Sequence, residues 1–250
     1  MKLNTVILFQ ELLKMFKCEM LLDIGCLDGT HSRRFRRVLP KSRIIAFEAN
    51  PTNYKSIMAD VRMKEAQIEV QHLAVTNFNG ILQFQVENLS ANIKDGRKGM
   101  SSILKRKSGS LGITEVEIPS IRIDSFLTSL DKLPDKIALW IDVEGAAFEV
   151  LEGIGSVKEK IAVVHVEVET KEIWTGQKLE NQILELMSSL GFVPIAHGHE
   201  DIQRDLVFVN NLILKEYQSK ISQLLRKTYV ISKARRLVGN TLRKIGLKAK

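Results

Sequence analysis

The sequence predicts an α/β fold: a seven-stranded, mostly parallel sheet with helices on both faces, ending in an antiparallel hairpin. Three observations carry this reading. Short apolar, β-branched runs alternate with helical patterns, the signature of a sheet covered on both sides. Two alternating runs, Ile81 to Val86 and Glu115 to Ile123, read as an inserted β-hairpin of half-exposed strands. The last two apolar runs are joined only by the polar segment His197 to Asp205, too short for a helical crossover, so that pair must be antiparallel.

Each element has a local reason. Residues 1–19 form a leading helix: Glu11 and Lys14 interrupt its apolar character and no small-residue cleavage site follows, which argues against a signal peptide. The main domain, 20–214, begins with a buried strand Met20 to Ile24, a helix Ser32 to Leu39 and a second strand Arg43 to Phe47. A helix Asn53 to Met63 and a third strand Ile68 to Val75 follow. The Gly, Ser and Lys-rich stretch Glu87 to Thr114 separates the hairpin runs, and residues 88–114 are expected to be a lid or substrate loop. The rhythm resumes with helix Ser125 to Leu130, strand Ile137 to Ile141, helix Ala146 to Leu151, strand Ile161 to Val168 and helix Leu179 to Leu190. Strands Phe192 to Ala196 and Leu206 to Leu214 close the domain.

Composition narrows the function classes. With 250 residues, 44% hydrophobic and 26% charged, the chain can bury one sizeable core. Cys18 and Cys26 have no His or Cys partner at metal-ligand spacing, so neither a disulfide framework nor a zinc site is suggested and a reducing, cytoplasmic setting fits best. No apolar run approaches the roughly 20 residues a bilayer span requires. The net charge of +8 is uneven: residues 215–250 hold eleven Lys or Arg against Glu216 alone, so the body of the chain is nearly neutral.

The segment LLDIGCLDGTHS, Leu21 to Ser32, ends a strand on an acid and enters a helix through glycines. Gly25 permits a tight turn and close approach of a ligand to the main chain, and Gly29 close packing where the helix begins. Asp23 can pair with a cationic amino group such as that of a methionine moiety. A dinucleotide fingerprint would want glycines where Leu27 and Thr30 stand, which weakens a pyrophosphate reading and disfavours an NAD-dependent oxidoreductase. Glu48, at the end of the second strand, is placed to bind the two hydroxyls of a ribose, or else to cap the helix after Pro51. Leu73 and Ala74 can supply an apolar wall and a backbone amide for adenine. The pattern points to S-adenosylmethionine.

At the reacting end, Asp142 and Glu144 follow a buried strand and precede Gly145. They can serve as base and orienting acid for a hydroxyl acceptor, or as oxygen ligands for a Mg²⁺-like ion. Alternatively, Asp142 caps the next helix. His165, Glu167 and Glu169 share one strand face by period two, which is not expected to meet a dry core. Glu167 and Glu169 are the better candidates for lining an acceptor pocket. His197 and His199 form an HxH pair in the last loop.

These motifs resemble the FkbM family of methyltransferases. The resemblance rests on DIGCLDG from Asp23, FEANP from Phe47, LAVTNFNG from Leu73, SSI from Ser101, IRIDSFL from Ile121 and, most specifically, WIDVEGAAFEVLEG from Trp140 to Gly153. It implies a Rossmann-like class I methyltransferase fold, S-adenosylmethionine as donor, and O-methylation of a sugar hydroxyl in a glycan, lipid-linked saccharide or natural product. It assigns the cofactor to Asp23, Gly25, Cys26, Gly29, Glu48 and Ala74, and catalysis to Asp142 and Glu144. Ser101, Ser102, Glu167, Glu169 and His197 are the expected acceptor contacts. Lys94, Arg97, Lys98 and Lys105 to Lys107 can hold an acidic or phosphorylated acceptor. The basic, partly amphipathic tail 215–250 suits an anionic membrane surface, hence a peripheral enzyme at the inner face. It lacks the aromatic platform of a nucleic-acid binder beyond Tyr217 and Tyr229. A homo-oligomer is left open. The competing class is a non-catalytic adaptor that uses the fold only to carry the tail.

Overall fold

The computed structural model describes residues 2–87, 101–107, 112–198 and 202–244, with side chains described as far as 233. The insertion cations Lys94, Arg97 and Lys98, and His199, lie outside the described residues.

The central strands β1 (Met20–Ile24), β2 (Arg43–Phe47) and β7 (Ile137–Ile141) begin and end where the apolar runs do. They pair in parallel, and with β3 (Glu69–Gln71), β8 (Ile161–Glu169), β9 (Phe192–His197) and β10 (Gln203–Asn210) they build a seven-stranded sheet of order β3-β2-β1-β7-β8-β10-β9. Only β10 runs against its neighbours. Strand order reverses between β1 and β7. An open parallel sheet has its ligand crevice at such a point, outside the carboxyl ends of the strands.

Side-chain alternation along the buried strands makes two cores. Leu22, Ile24, Leu139, Ile141 and Val164 face α5 (Ile123–Thr128), α6 (Ala147–Glu152) and α7 (Glu180–Ser189). Leu21, Ala46, Ala138, Trp140 and Val163 face α1 (Thr5–Phe16) and α2 (Thr30–Val38). In α1, Asn4 caps the first turn by accepting from Ile7 N at 3.0 Å, and Leu8, Phe9, Leu12, Leu13 and Phe16 are completely buried. At about 1.5–3 kcal/mol for each such side chain, this face fixes the helix to the sheet.

Three expected boundaries and one expected exposure differ for identifiable reasons. The helix expected over Asn53 to Met63 is two, α3 (Pro51–Ala59) and α4 (Val61–Glu65), because Asp60 stays extended and caps the second through Arg62 N. The strand expected over Ile68 to Val75 divides: β3 pairs with β2, whereas β4 (Ala74–Val75) pairs with β6 (Ile113–Ile121) in a second sheet completed by β5 (Gly80–Glu87). The last strand stops at Asn210, whose side chain accepts from Leu212 N, and α8 (Asn211–Lys244) begins there. His165 lies in a dry core after all. It is 1% exposed and stacks on Trp140 with 3.7 Å between ring centroids, since β8 is buried on both faces and α1 covers this one. Burial holds its imidazole well below the ordinary histidine range.

Candidate active site

A cavity of about 290 Å³ opens at the strand-order reversal. Its walls come from the ends of β1 (Ile24, Gly25, Leu27), β2 (Phe47, Glu48), β7 (Asp142, Val143, Glu144) and β8 (Glu167), together with Leu73, Ala74, Val75 and Phe84. Four carboxylates line it and, among the described residues, no Lys, Arg or His does.

The donor loop is built from the end of β2. Gly25 N and Cys26 N both donate to Phe47 O at 3.0 Å, and Leu27 N donates to Glu48 Oε2 at 2.8 Å. The other Glu48 oxygen accepts from Asn50 N at 2.8 Å. The Asn53 side chain adds a third hydrogen bond to this carboxylate, which leaves one acceptor site open. Helix α3 is capped by Asn50, which accepts from Thr52 N and Asn53 N, so Glu48 is not its cap. Burial pushes Glu48 up to about 7, opposed by those two backbone amides and by the Asn53 side chain.

Gly25 has φ +83°, and a Cβ there would lie 2.1 Å from the carbonyl oxygen of Asp142. What closely approaches this glycine is therefore the β7 peptide, which packs donor loop and acidic loop against each other. Asp142 N is held by Ile24 O at 2.9 Å. Asp23, Cys26 and Gly29, all expected at the cofactor, stand behind the loop rather than in the wall. The Asp23 carboxyl is fully buried and bonds the Ser32 hydroxyl through Oδ2, while Oδ1 has no partner. Burial raises it to about 7. Cys26 is buried in the core beneath, and Gly29 starts α2 against the Met63 side chain.

At the other end, Asp142 is accessible through the cavity although protein surrounds it, and that enclosure, with the charge of Asp205, raises it to about 6. It does not cap α6, whose N-cap is Ala146 without a side-chain bond. Glu167 accepts from Gln203 Nε2 at 3.1 Å. Burial first, then the charges of Asp142, Glu144, Asp205 and Glu169, push it up to about 9. Glu169 lies outside the wall; burial raises it to about 7, against hydrogen bonds from Gln203 and the Gly145 amide. His197 is also outside, its Nδ1 3.1 Å from Gly198 O. Among the described residues, no group of three or more His, Cys, Asp or Glu is arranged to hold a metal ion. Among the described residues the pair Asp142 and Glu144 therefore has no third ligand of these types arranged with it.

Ser101 and Ser102 roof the cavity. Asn50 Nδ2 donates to Ser101 Oγ at 3.1 Å, the Ser102 hydroxyl donates to Glu144 O, and Ser102 exchanges backbone bonds with Gln85. Sequence reasoning missed Gln203, Phe84 and Asn53 in this wall. Gln203 had a signal: an antiparallel last strand starts at the edge where its parallel neighbours end.

The sequence profile of the methyltransferase FkbM domain matches residues 23–194, which include every cavity segment except Gln203. The chain belongs to the FkbM methyltransferase family. It is an S-adenosylmethionine-dependent methyltransferase, which removes the adaptor and oxidoreductase readings. It is 25% identical over 205 residues to the 2-O-methyltransferase NoeI of Sinorhizobium fredii (strain NBRC 101917 / NGR234), covering 76% of this chain and 79% of that protein. Among solved structures it is similar to the magnesium protoporphyrin IX methyltransferase of Synechocystis PCC 6803 with SAM bound (11% identity, 83% and 78% of the two chains, TM-score 0.46). It is also similar to precorrin-6y C5,15-methyltransferase of Geobacter metallireducens GS-15 (12% identity, 82% and 87%, TM-score 0.44).

Proposed function

We propose that this FkbM enzyme transfers the methyl group to a neutral hydroxyl of a saccharide, with Asp142 as general base. The observation that carries the reading is the composition of the acceptor end: Asp142, Glu144 and Glu167 converge there with no cationic side chain among the described lining residues. Such a wall suits a sulfonium donor and hydroxyl-bearing acceptors, and disfavours anionic ones.

The donor supplies an electrophilic methyl; the chain supplies position and a proton acceptor. Glu48, already holding three hydrogen bonds, keeps one acceptor site for a ribose hydroxyl, and Leu73, Ala74 and Phe84 give the adenine an apolar wall. The unpartnered Asp23 Oδ1, buried beneath the loop, is the natural partner for a donor-side cation through a bridging water. Asp142, raised to about 6, is ionised at neutral pH yet more basic than an ordinary carboxylate, and it takes the hydroxyl proton as the oxygen attacks. Glu167, raised to about 9, keeps its proton and offers a donor to a neighbouring acceptor oxygen. The name of the relative NoeI, a 2-O-methyltransferase, supports oxygen as the accepting atom.

The test is transfer of radiolabelled methyl from S-adenosylmethionine to a panel of mono- and oligosaccharides, with carboxylates, amines and catechols alongside. Label in a saccharide hydroxyl, lost in Asp142→Asn, is the expected result. Label confined to nitrogen, carboxylate or catechol acceptors would overturn the reading.

A further inference from the structure

Helix α8 is the long basic element that the methyl-transfer site leaves unused. It runs antiparallel to α1. Near its start, Tyr217 packs edge-on against Phe16, with 5.2 Å between ring centroids. About four turns further on, Ser232 Oγ accepts from Asn4 N at 3.0 Å. Ile221, Leu224, Thr228 and Ser232 are buried along this seam. The apolar stripe of the helix is therefore already occupied by its own domain.

The opposite face is different in kind. Leu212, Lys215, Arg226, Val230 and Lys233, at spacings of three, eleven, four and three with Ser219 and Gln223 in the longer gap, share this face and all are exposed, Leu212 at 61% and Val230 at 65%. Lys227 and Tyr229 flank them, also exposed. Glu216 is the one acid between residues 211 and 233. A straight row of cations interleaved with exposed aliphatic side chains is complementary to an anionic bilayer surface. Phosphates take the charges, while Leu, Val and Tyr enter the interfacial layer. A nucleic acid would call for a stacking platform, but Tyr217 is engaged with Phe16 and Tyr229 stands alone.

We propose that the outward face of α8, through Lys215, Arg226, Val230 and Lys233, docks this enzyme on an anionic phospholipid membrane. The α1 to α8 seam stays closed and α8 lies along the surface. The N-terminus of α1 lies at the edge where the parallel strands end, since Leu3 N donates to His197 O at 2.9 Å at the end of β9. The cavity opens on that same edge, so it faces along the membrane rather than into it. Among the described residues no helix is long and apolar enough to cross a membrane, and this mode requires none.

The experiment is flotation of the full chain with phosphatidylcholine vesicles, with and without about a quarter phosphatidylglycerol, at about 0.1 M salt. Binding to the anionic vesicles alone is expected. Each cation strengthens association about fivefold, so Lys215→Gln with Arg226→Gln and Lys233→Gln lowers partitioning about a hundredfold. These residues lie opposite the buried seam, so melting temperature and S-adenosylhomocysteine binding should match the wild type. Equal binding to neutral vesicles, unchanged partitioning of the triple variant, or displacement by duplex RNA at a lower phosphate concentration than the vesicles supply would overturn the proposal.

Discussion

Gly25→Ala probes the contact that joins the donor loop to the acidic loop. At φ +83° a non-glycine residue is strained by about 1–2 kcal/mol. The new Cβ would lie 2.1 Å from Asp142 O, 2.9 Å from its carbonyl carbon and 3.1 Å from Val143 Cγ1. Unbonded carbon and oxygen need upwards of roughly 3 Å, so the two peptides must part by about 1 Å. Forced shifts of packed backbone cost about 1–3 kcal/mol, giving a total of about 2–5 kcal/mol. Gly176 is an internal control, with φ +78° and nothing within 4 Å of its Cβ position. Gly176→Ala should therefore cost only the strain of about 1–2 kcal/mol. In a chain of this size each kcal/mol lowers the melting temperature by about 2–4 °C, so circular dichroism separates the two variants. Because Asp142 moves with its peptide, turnover of Gly25→Ala should also fall, by about a hundredfold for a displacement near 1 Å. Equal melting shifts in the two variants, or turnover of Gly25→Ala within twofold of wild type, would refute the reasoning.

Three further outcomes are expected. Glu48→Ala removes the acceptor from Leu27 N and Asn50 N; at about 1–3 kcal/mol for the groups left unpaired, S-adenosylhomocysteine affinity measured by calorimetry should fall at least about tenfold. Asp142→Asn should lower turnover by about 10²–10⁴-fold with donor affinity within a few-fold, and it should abolish an acidic limb near pH 6 in the kcat/KM profile, where the base becomes protonated. Glu167 binds its proton more tightly folded than unfolded, so its contribution to stability is full below the ordinary carboxylate range and is lost as pH rises towards about 9. Glu167→Gln should therefore flatten the decline of melting temperature between pH 5 and 9, and an unchanged slope would contradict the assignment.

Much of the frame was legible because β1, β2 and β7 are buried on both faces, so burial and apolar run coincide except at the buried Asp23 and the exposed first residue of β2, Arg43. Glu48 and Asp142 could be placed for the same reason: both directly follow such strands, and a parallel sheet brings those ends together. Legibility failed where pairing, not pattern, decides. No glycine or proline separates β3 from β4; Ala74 and Val75 change sheets because β6 offers them a partner. His165 looked exposed because polar residues at period two mark a solvated face, yet Trp140 on the next strand and Phe9 on α1 enclose it. Asp23 belongs to the right motif but faces the α1 and α2 side of the sheet, because successive residues of an extended strand alternate, and Cys26 enters that core after the turn at Gly25. The alternation that made the strand readable thus moved Asp23 out of the cavity wall.

The segment Ser101–Lys107 connects features that the sequence keeps far apart. Its first residues touch Asn50, beside the proposed ribose site, and Glu144 at the reacting end. Its last residues pair with the loop after β8: Lys107 N donates to Ile173 O at 3.1 Å, Thr175 N donates to Lys105 O at 2.7 Å, and Lys107 meets Glu172 at 2.6 Å. A strap bonded to both ends of a cavity transmits order from one to the other only if its central anchor holds. That anchor is Ser102, 3% exposed, whose hydroxyl donates to Glu144 O and accepts from Leu104 N at 3.0 Å. Ser102→Ala deletes both bonds and leaves two half-buried backbone groups without this partner, at up to about 1–3 kcal/mol each. Hydrogen exchange in residues 101–107 should accelerate, and the protection gained there on adding S-adenosylhomocysteine should shrink. The strap would then be held by its backbone bonds to Gln85, Ile173 and Thr175, so Lys107→Ala on the Ser102→Ala background, which removes only an exposed salt bridge, should lower the remaining protection little further. Wild-type exchange in Ser102→Ala would mean that the Gln85 pairing alone holds the roof and that the hydroxyl carries none of the coupling.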